Sequence, residues 1–99
     1  MDRAEVIDRL KAVEPALRQR GVAALYLFGS HARNAATATS DVDVFVDPAD
    51  EEAFSLATSM ETLALLQQTF PGTEIGYSTR DGIVPCYLPY VEQGAIRIF

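Results

Sequence analysis

The sequence predicts an α/β (α+β) fold, a small mixed sheet of about four strands with helices flanking it. Three observations predict it. Segments with apolar residues at helical spacing alternate with short apolar runs of strand length, and glycine or proline closes most of them. An apolar fraction of 48% leaves material for a real core. Ninety-nine residues make one domain, 1–99, with no linker, repeat or low-complexity tract, and roughly two-thirds of such a chain's surface can be buried.

The elements follow in order. Residues 2–20 form a predicted helix: Asp2 can cap it, Val6, Leu10, Val13 and Leu17 recur at helical spacing, and Gly21 follows the last turn. Pro15 inside that pattern predicts a kink or an earlier stop near Glu14. Val22 to Phe28, ended by glycine, has the length of a buried strand. Ser30 to about Ala36 reads as a short helix capped by Ser30, followed by the polar loop Thr37–Ser40. Val42 to Val46 is the second strand. Pro48 is expected to open a long helix through about Thr69, with Asp50, Glu51 and Glu52 in its first turn. Its expected buried stripe is Ala53, Leu56, Ala57, Met60, Leu63, Ala64 and Gln67, and Pro71-Gly72 ends it. Thr73 to Thr79 is a weaker third strand. A short helical turn around Val84–Val91, interrupted by Pro85 and Pro89, leads to a last strand, Ala95–Phe99.

Composition narrows the chemistry. Cys86 is the only cysteine and His31 the only histidine, so neither an internal disulfide nor a four-ligand zinc site of the usual kind is available. The N-terminus is charged and no stretch reaches about 18 apolar residues, so a cytoplasmic protein with no membrane contact is expected. A net charge of −6 argues against a general nucleic-acid binder. Five of the eight basic residues lie in the first twenty positions, which reads as a solvated helix surface.

The stretch YLFGSHARNAATATSDVDVFVD, Tyr26 to Asp47, carries the candidate chemistry. In a strand, residues i and i+2 point the same way, which sets Asp41 and Asp43 side by side about 6.6 Å apart. Such a pair can grip a divalent cation, while Val42, Val44 and Val46 fill the core behind them. Taken alone, D-x-D is most often a half-exposed strand with its polar residues outward. The preceding segment changes the weighting. Gly29 lets backbone approach a ligand closely, Ser30 adds a hydroxyl donor at a helix start, and Arg33 supplies a fixed positive charge for phosphate oxygens. One strand end thus offers a phosphate cradle and its neighbour offers carboxylates for Mg²⁺, the parts that phosphoryl transfer needs. Rival patterns are missing: there is no G-x-S-x-G, no G-x-x-x-x-G-K-[ST] and no G-x-G-x-x-G.

With these residues in hand, the chain resembles the minimal nucleotidyltransferases of the DNA polymerase β superfamily, the small MNT proteins paired with a HEPN-domain partner. Their pattern, G-S-x-A-R-G followed by a polar loop and S-D-x-D on the next strand, stands here as Gly29-Ser30-His31-Ala32-Arg33-Asn34 and Ser40-Asp41-Val42-Asp43. The resemblance implies a polymerase β-like palm with a two-metal Mg²⁺ site built from three carboxylates, of which Asp41 and Asp43 are two. The third belongs mid-strand after the long helix, where this chain has Gly76. Glu74, two residues earlier on the same face, is the candidate substitute. If the missing acid alone limits the site, Gly76→Asp is expected to restore it. Asn34 in place of the pattern's glycine is a mild change, since asparagine tolerates left-handed backbone.

The resemblance also implies an activity: transfer of AMP from ATP to a tyrosine hydroxyl of the HEPN toxin, an RNase, with this chain as antitoxin. Gly29, Ser30 and Arg33 would hold the nucleotide's phosphates. The alternative is a catalytically weakened member of the same fold that neutralises its partner by occlusion. A hetero-oligomer with the HEPN partner is expected, and an exposed last strand could also pair with a second copy. Tyr77, Tyr87 and Tyr90 read as packing or partner surface, Cys86 as a structural or surface thiol, and His31 as either a phosphate contact or an exposed helix position.

Overall fold

The computed structural model describes residues 2–37, 40–83, 86 and 88–99. The predicted first helix is two. In α1 (Arg3–Ala12) the Asp2 side chain caps by accepting a 2.8 Å hydrogen bond from the Glu5 amide. The helix stops at Val13, and α2 (Glu14–Gln19) restarts with Pro15 in its first turn, the position where a missing N–H costs nothing. Strand β1 (Val22–Phe28) and strand β2 (Val42–Pro48) run antiparallel and flank the short helix α3 (Gly29–Ala32). Helix α4 (Leu56–Thr69), strand β3 (Ile75–Thr79), a 3₁₀ turn (Arg80–Gly82), helix α5 (Leu88–Gly94) and strand β4 (Ile96–Arg97) complete the chain.

The sheet order is β3-β2-β1-β4. β2 and β3 are parallel, β1 and β4 antiparallel, so the sheet is mixed as predicted. Hydrogen bonds between Leu25 and residues Ile98 and Phe99 carry the pairing beyond β4 itself. One face carries Leu25, Leu27, Val42, Val44 and Val46, which bury completely with Val6, Leu10, Leu17 and Leu66 from the helices. Full burial of such a side chain contributes about 1.5–3 kcal/mol, so this face dominates the stabilisation.

The other face has a different design. Phe45 is fully buried there by Tyr26, whose ring stacks at 4.7 Å and 14°, and by Phe28 at 5.7 Å. The guanidinium of Arg80 lies 5.0 Å from both the Tyr26 and Phe45 rings. It is pinned by a two-pronged ion pair with Asp47 (2.8 and 2.9 Å) and a contact with Glu92 of α5 at 3.1 Å. Arg80 therefore roofs the aromatic layer in place of a helix.

Three expectations are corrected. The long helix does not begin at Pro48, which ends β2. Asp50 Oδ1 accepts from the Glu52 and Ala53 amides in a local turn, and the helix starts only after Ser55, whose hydroxyl accepts from the Thr58 amide. The buried stripe of α4 is shifted. Leu56 and Met60 are 79% and 63% exposed, and the side chains turned fully inward are Thr62 and Leu66. Thr62 can face the core because its hydroxyl bonds the Thr58 carbonyl at 2.9 Å. Third, α3 is shorter than expected, and Phe28 rather than Ser30 is its cap residue, without a side-chain hydrogen bond. The helical turn expected around Val84–Val91 is found as α5 from Leu88 onward, while positions 84, 85 and 87 lie outside the described residues, as do 38 and 39 of the polar loop. Tyr77 packs as expected and shares a 2.9 Å hydrogen bond with Ser59. Among the described residues, no helix is long and apolar enough to cross a membrane.

The phase of α4 can be checked by urea unfolding. Leu66→Ala should cost about 2–5 kcal/mol, and Met60→Ala no more than about 0.5 kcal/mol. A larger loss at Met60 than at Leu66 would mean that the predicted stripe is the buried one.

Candidate active site

Strand register builds the site. β1 and β2 pair so that Phe28 lies opposite Asp43. The next residue is Gly29, so the chain leaves β1 directly beside the Asp43 side chain. The exit requires φ +75° at Gly29, a backbone conformation that glycine adopts without penalty. It also requires the absence of a side chain: a Cβ at Gly29 would overlap Asp43 Oδ2 and stand 3.1 Å from its Cγ. On the opposite side, parallel pairing sets Gly76 of β3 level with Asp43. A Cβ there would overlap Oδ1 and stand 3.3 Å from Cγ. The Asp43 carboxylate thus occupies a gap between two bare backbones.

The other sequence-predicted residues gather unevenly around it. Asp41 is exposed and two positions before Asp43, immediately ahead of β2, and Ser30 is half-buried in the first turn of α3. Arg33 is exposed at the end of that helix, its amide bonded to the Gly29 carbonyl at 3.2 Å. Asn34 takes φ +57°, the left-handed conformation that the resemblance required of that position. Glu74 is exposed and two residues before Gly76, so extending the β2–β3 register sets it level with Asp41 rather than Asp43; its carbonyl accepts from the Val42 amide at 3.0 Å. Among the described residues, no three His, Cys, Asp or Glu side chains gather closely enough to hold a metal ion.

Electrostatics mark Asp43. Partial burial pushes its carboxyl above the usual carboxylate range, the negative charge of Asp41 adds to that, and His31 and Arg33 pull the other way. His31 is not the exposed helix position that the sequence left open. It is only 2% exposed, and its Nδ1 finds no hydrogen-bond partner among the described residues.

Sequence reasoning missed the cavity beside the turn. It measures about 380 Å³ and is lined by Phe28, Gly29, Arg33, Tyr90, Val91 and Gly94. Tyr90, 75% exposed on α5, forms its outer wall. Only the alternation of proline and aromatic residues before β4 hinted at a wall there, and nothing in it pointed back to Gly29.

The chain belongs to the nucleotidyltransferase domain family, whose pattern it matches over residues 10–89. Within that family its fold is that of a minimal nucleotidyltransferase. It is similar to a solved structure assigned as a minimal nucleotidyltransferase, with 27% identity, 97% of this chain and 95% of that chain covered, and a TM-score of 0.81. A second solved structure, a toxin–antitoxin crystallised with AMP-PNP, shares the fold at 17% identity, covering 100% of this chain and 73% of that one with a TM-score of 0.67. Among curated proteins none matches.

The raised Asp43 titration has a consequence for stability, with a definite sign. The folded carboxyl holds its proton more readily than the unfolded one, so ionised Asp43 costs stability above its folded pKa, and the cost is relieved as pH falls through that value. In metal-free buffer at pH 7, Asp43→Asn should therefore raise Tm. The gain should shrink as pH is lowered toward the ordinary carboxylate range, which thermal melts across pH will show.

Proposed function

We propose that this chain is an Mg²⁺-dependent nucleotidyltransferase that passes AMP from ATP to a hydroxyl, that of a tyrosine on a HEPN-domain toxin, and so acts as its antitoxin in the cytoplasm. One observation carries the reading: the Asp43 carboxylate abuts Gly29, so the carboxylate strand and the glycine-serine turn serve a single site. The solved toxin–antitoxin with AMP-PNP, built on the same fold, supports a nucleotide and a protein partner for this one.

The residues present suit one divalent cation. Mg²⁺ is commonly held by one or two carboxylates together with substrate phosphates and water, and Asp41 and Asp43 are such a pair. When bound, it supplies charge neutralisation at the reacting phosphate. Gly29 and Ser30 receive the triphosphate, the glycine by leaving backbone uncovered and the serine through its hydroxyl. Arg33 steadies the phosphates from the edge of the 380 Å³ cavity, where the remainder of the nucleotide lies against Tyr90 and Val91. The acceptor hydroxyl attacks the α-phosphorus in line. The bond to the bridging oxygen breaks, pyrophosphate leaves, and the hydroxyl proton passes to solvent or to a carboxylate. Glu74, at the mouth of the site beside Asp41, is the further carboxylate available to an arriving acceptor or cation.

A second reading has its own observation. Gly76 stands where the resemblance calls for an acid, level with Asp43, and a chain without that acid could silence its partner by occlusion alone.

Incubation with labelled ATP, Mg²⁺ and the HEPN partner separates the two. Label on a partner tyrosine, lost by a factor of about a hundred or more in Asp43→Ala, is the expected result; the magnitude is that of removing a principal electrostatic group. Tight complex formation with no label would favour occlusion.

A further inference from the structure

Gly76 is more than the place of a missing acid. The geometry assigns it a positive part. Its φ lies outside the left-handed region, so β3 does not need glycine for backbone reasons at this position. A Cβ at Gly76 would lie 3.6 Å from the Asp43 Cα, an ordinary contact that the neighbouring strand accepts. The conflict is with the carboxylate alone: Oδ1 occupies the space that a side chain at 76 would need. Gly29 meets Oδ2 in the same way from the other side.

We propose that Gly76 is a positioning residue for Asp43: with Gly29 it forms a two-backbone slot that holds the carboxylate in the orientation in which Asp43 and Asp41 share one divalent cation. This rests on the reading of Asp41 and Asp43 as metal-holding carboxylates. The slot is narrow because each wall is main chain, which cannot turn aside as a side chain can. With Oδ2 against Gly29 and Oδ1 against Gly76, a side chain at 76 must displace the Asp43 carboxylate from this gap.

The consequence opposes the simple expectation from the resemblance. Gly76→Asp adds a carboxylate but evicts one already present, and it brings a third negative charge beside Asp41 and Asp43. Affinity for a divalent cation should fall with that substitution, not rise.

The test compares the wild type with Gly76→Ala and Gly76→Asp, using Mn²⁺ as probe. Free Mn²⁺ is counted by electron paramagnetic resonance, circular dichroism checks the fold, and crystal structures of the wild type and Gly76→Ala read the Asp43 rotamer. Gly76→Ala should turn Asp43 into another rotamer and weaken Mn²⁺ binding about 10–100-fold, the loss typical of disturbing a ligand's support. Gly76→Asp should weaken it as well. An unmoved Asp43 with wild-type affinity in Gly76→Ala, or tighter binding by Gly76→Asp, overturns the proposal. Should Gly76→Ala prove unstable, adding Asp43→Ala must restore the Tm, because the conflict is with that side chain only; failure to do so also overturns it. A wild type that binds no Mn²⁺ would defeat the metal-site reading instead, and the rotamer comparison would still judge the slot.

Discussion

The antiparallel register of β1 on β2 is the constraint on which the rest of the molecule depends. Alternation along a strand has a period of two, so a slip of one residue would turn Val42, Val44 and Val46 out of the core and Asp43, Phe45 and Asp47 into it. Burying two carboxylates without partners costs several kcal/mol each, while the three valines would forfeit about 1.5–3 kcal/mol apiece. A one-residue slip therefore does not compete. The same register brings Phe28 level with Asp43, so the first residue past the strand end is the one that touches the carboxylate. The core and the site are set by one event, and the hydrophobic face supplies its energy.

The outer face of the sheet needs a different solution, because a helix laid across it would cover Asp43. Phe45 is instead enclosed by Tyr26, Phe28 and the flat guanidinium of Arg80. A planar cation suits this duty: one face lies over the rings while its edge donates to both oxygens of Asp47. Asp47 is the next acid on the Asp43 side of β2, beyond Phe45, and Arg80 neutralises it. Asp43 has no such ion pair among the described residues.

Much of this was legible along the chain. β1 is a run of apolar residues closed by glycine, and β2 shows valines alternating with acids, so both strands and their faces follow from local pattern. Gly29, Ser30, Arg33, Asp41 and Asp43 lie within fifteen residues, and of these the structure sets the Asp43 carboxylate against Gly29. What failed was a matter of competition. Acids after Pro48 look like a helix start, but Asp50 spends its carboxylate on a turn and leaves the start to Ser55. Apolar counting selects Leu56 and Met60 for the core, yet Thr62 is buried because its hydroxyl is satisfied within its own helix. The Arg80 stack and the cavity beside Gly29 draw residues from distant parts of the chain, and no local pattern announces them.

The reading of Gly76 turns on electrostatics as well as space. At the spacing of about 6.6 Å set by the strand rise, two ionised carboxylates repel by about 0.6 kcal/mol in water and about 2.5 kcal/mol at an effective dielectric near 20. The mouth, where Asp41 is exposed, lies toward the lower figure; the gap around Asp43 lies toward the higher, in keeping with its raised titration. A third acid at position 76 would enter on the buried side, where repulsion is strongest and where main chain already confines Asp43. A divalent cation attracts each carboxylate twice as strongly as they repel at equal distance, so a bound ion outweighs one pair readily. A glycine at 76 adds no charge to that confined side, so the repulsion felt by Asp43 stays that of Asp41 alone.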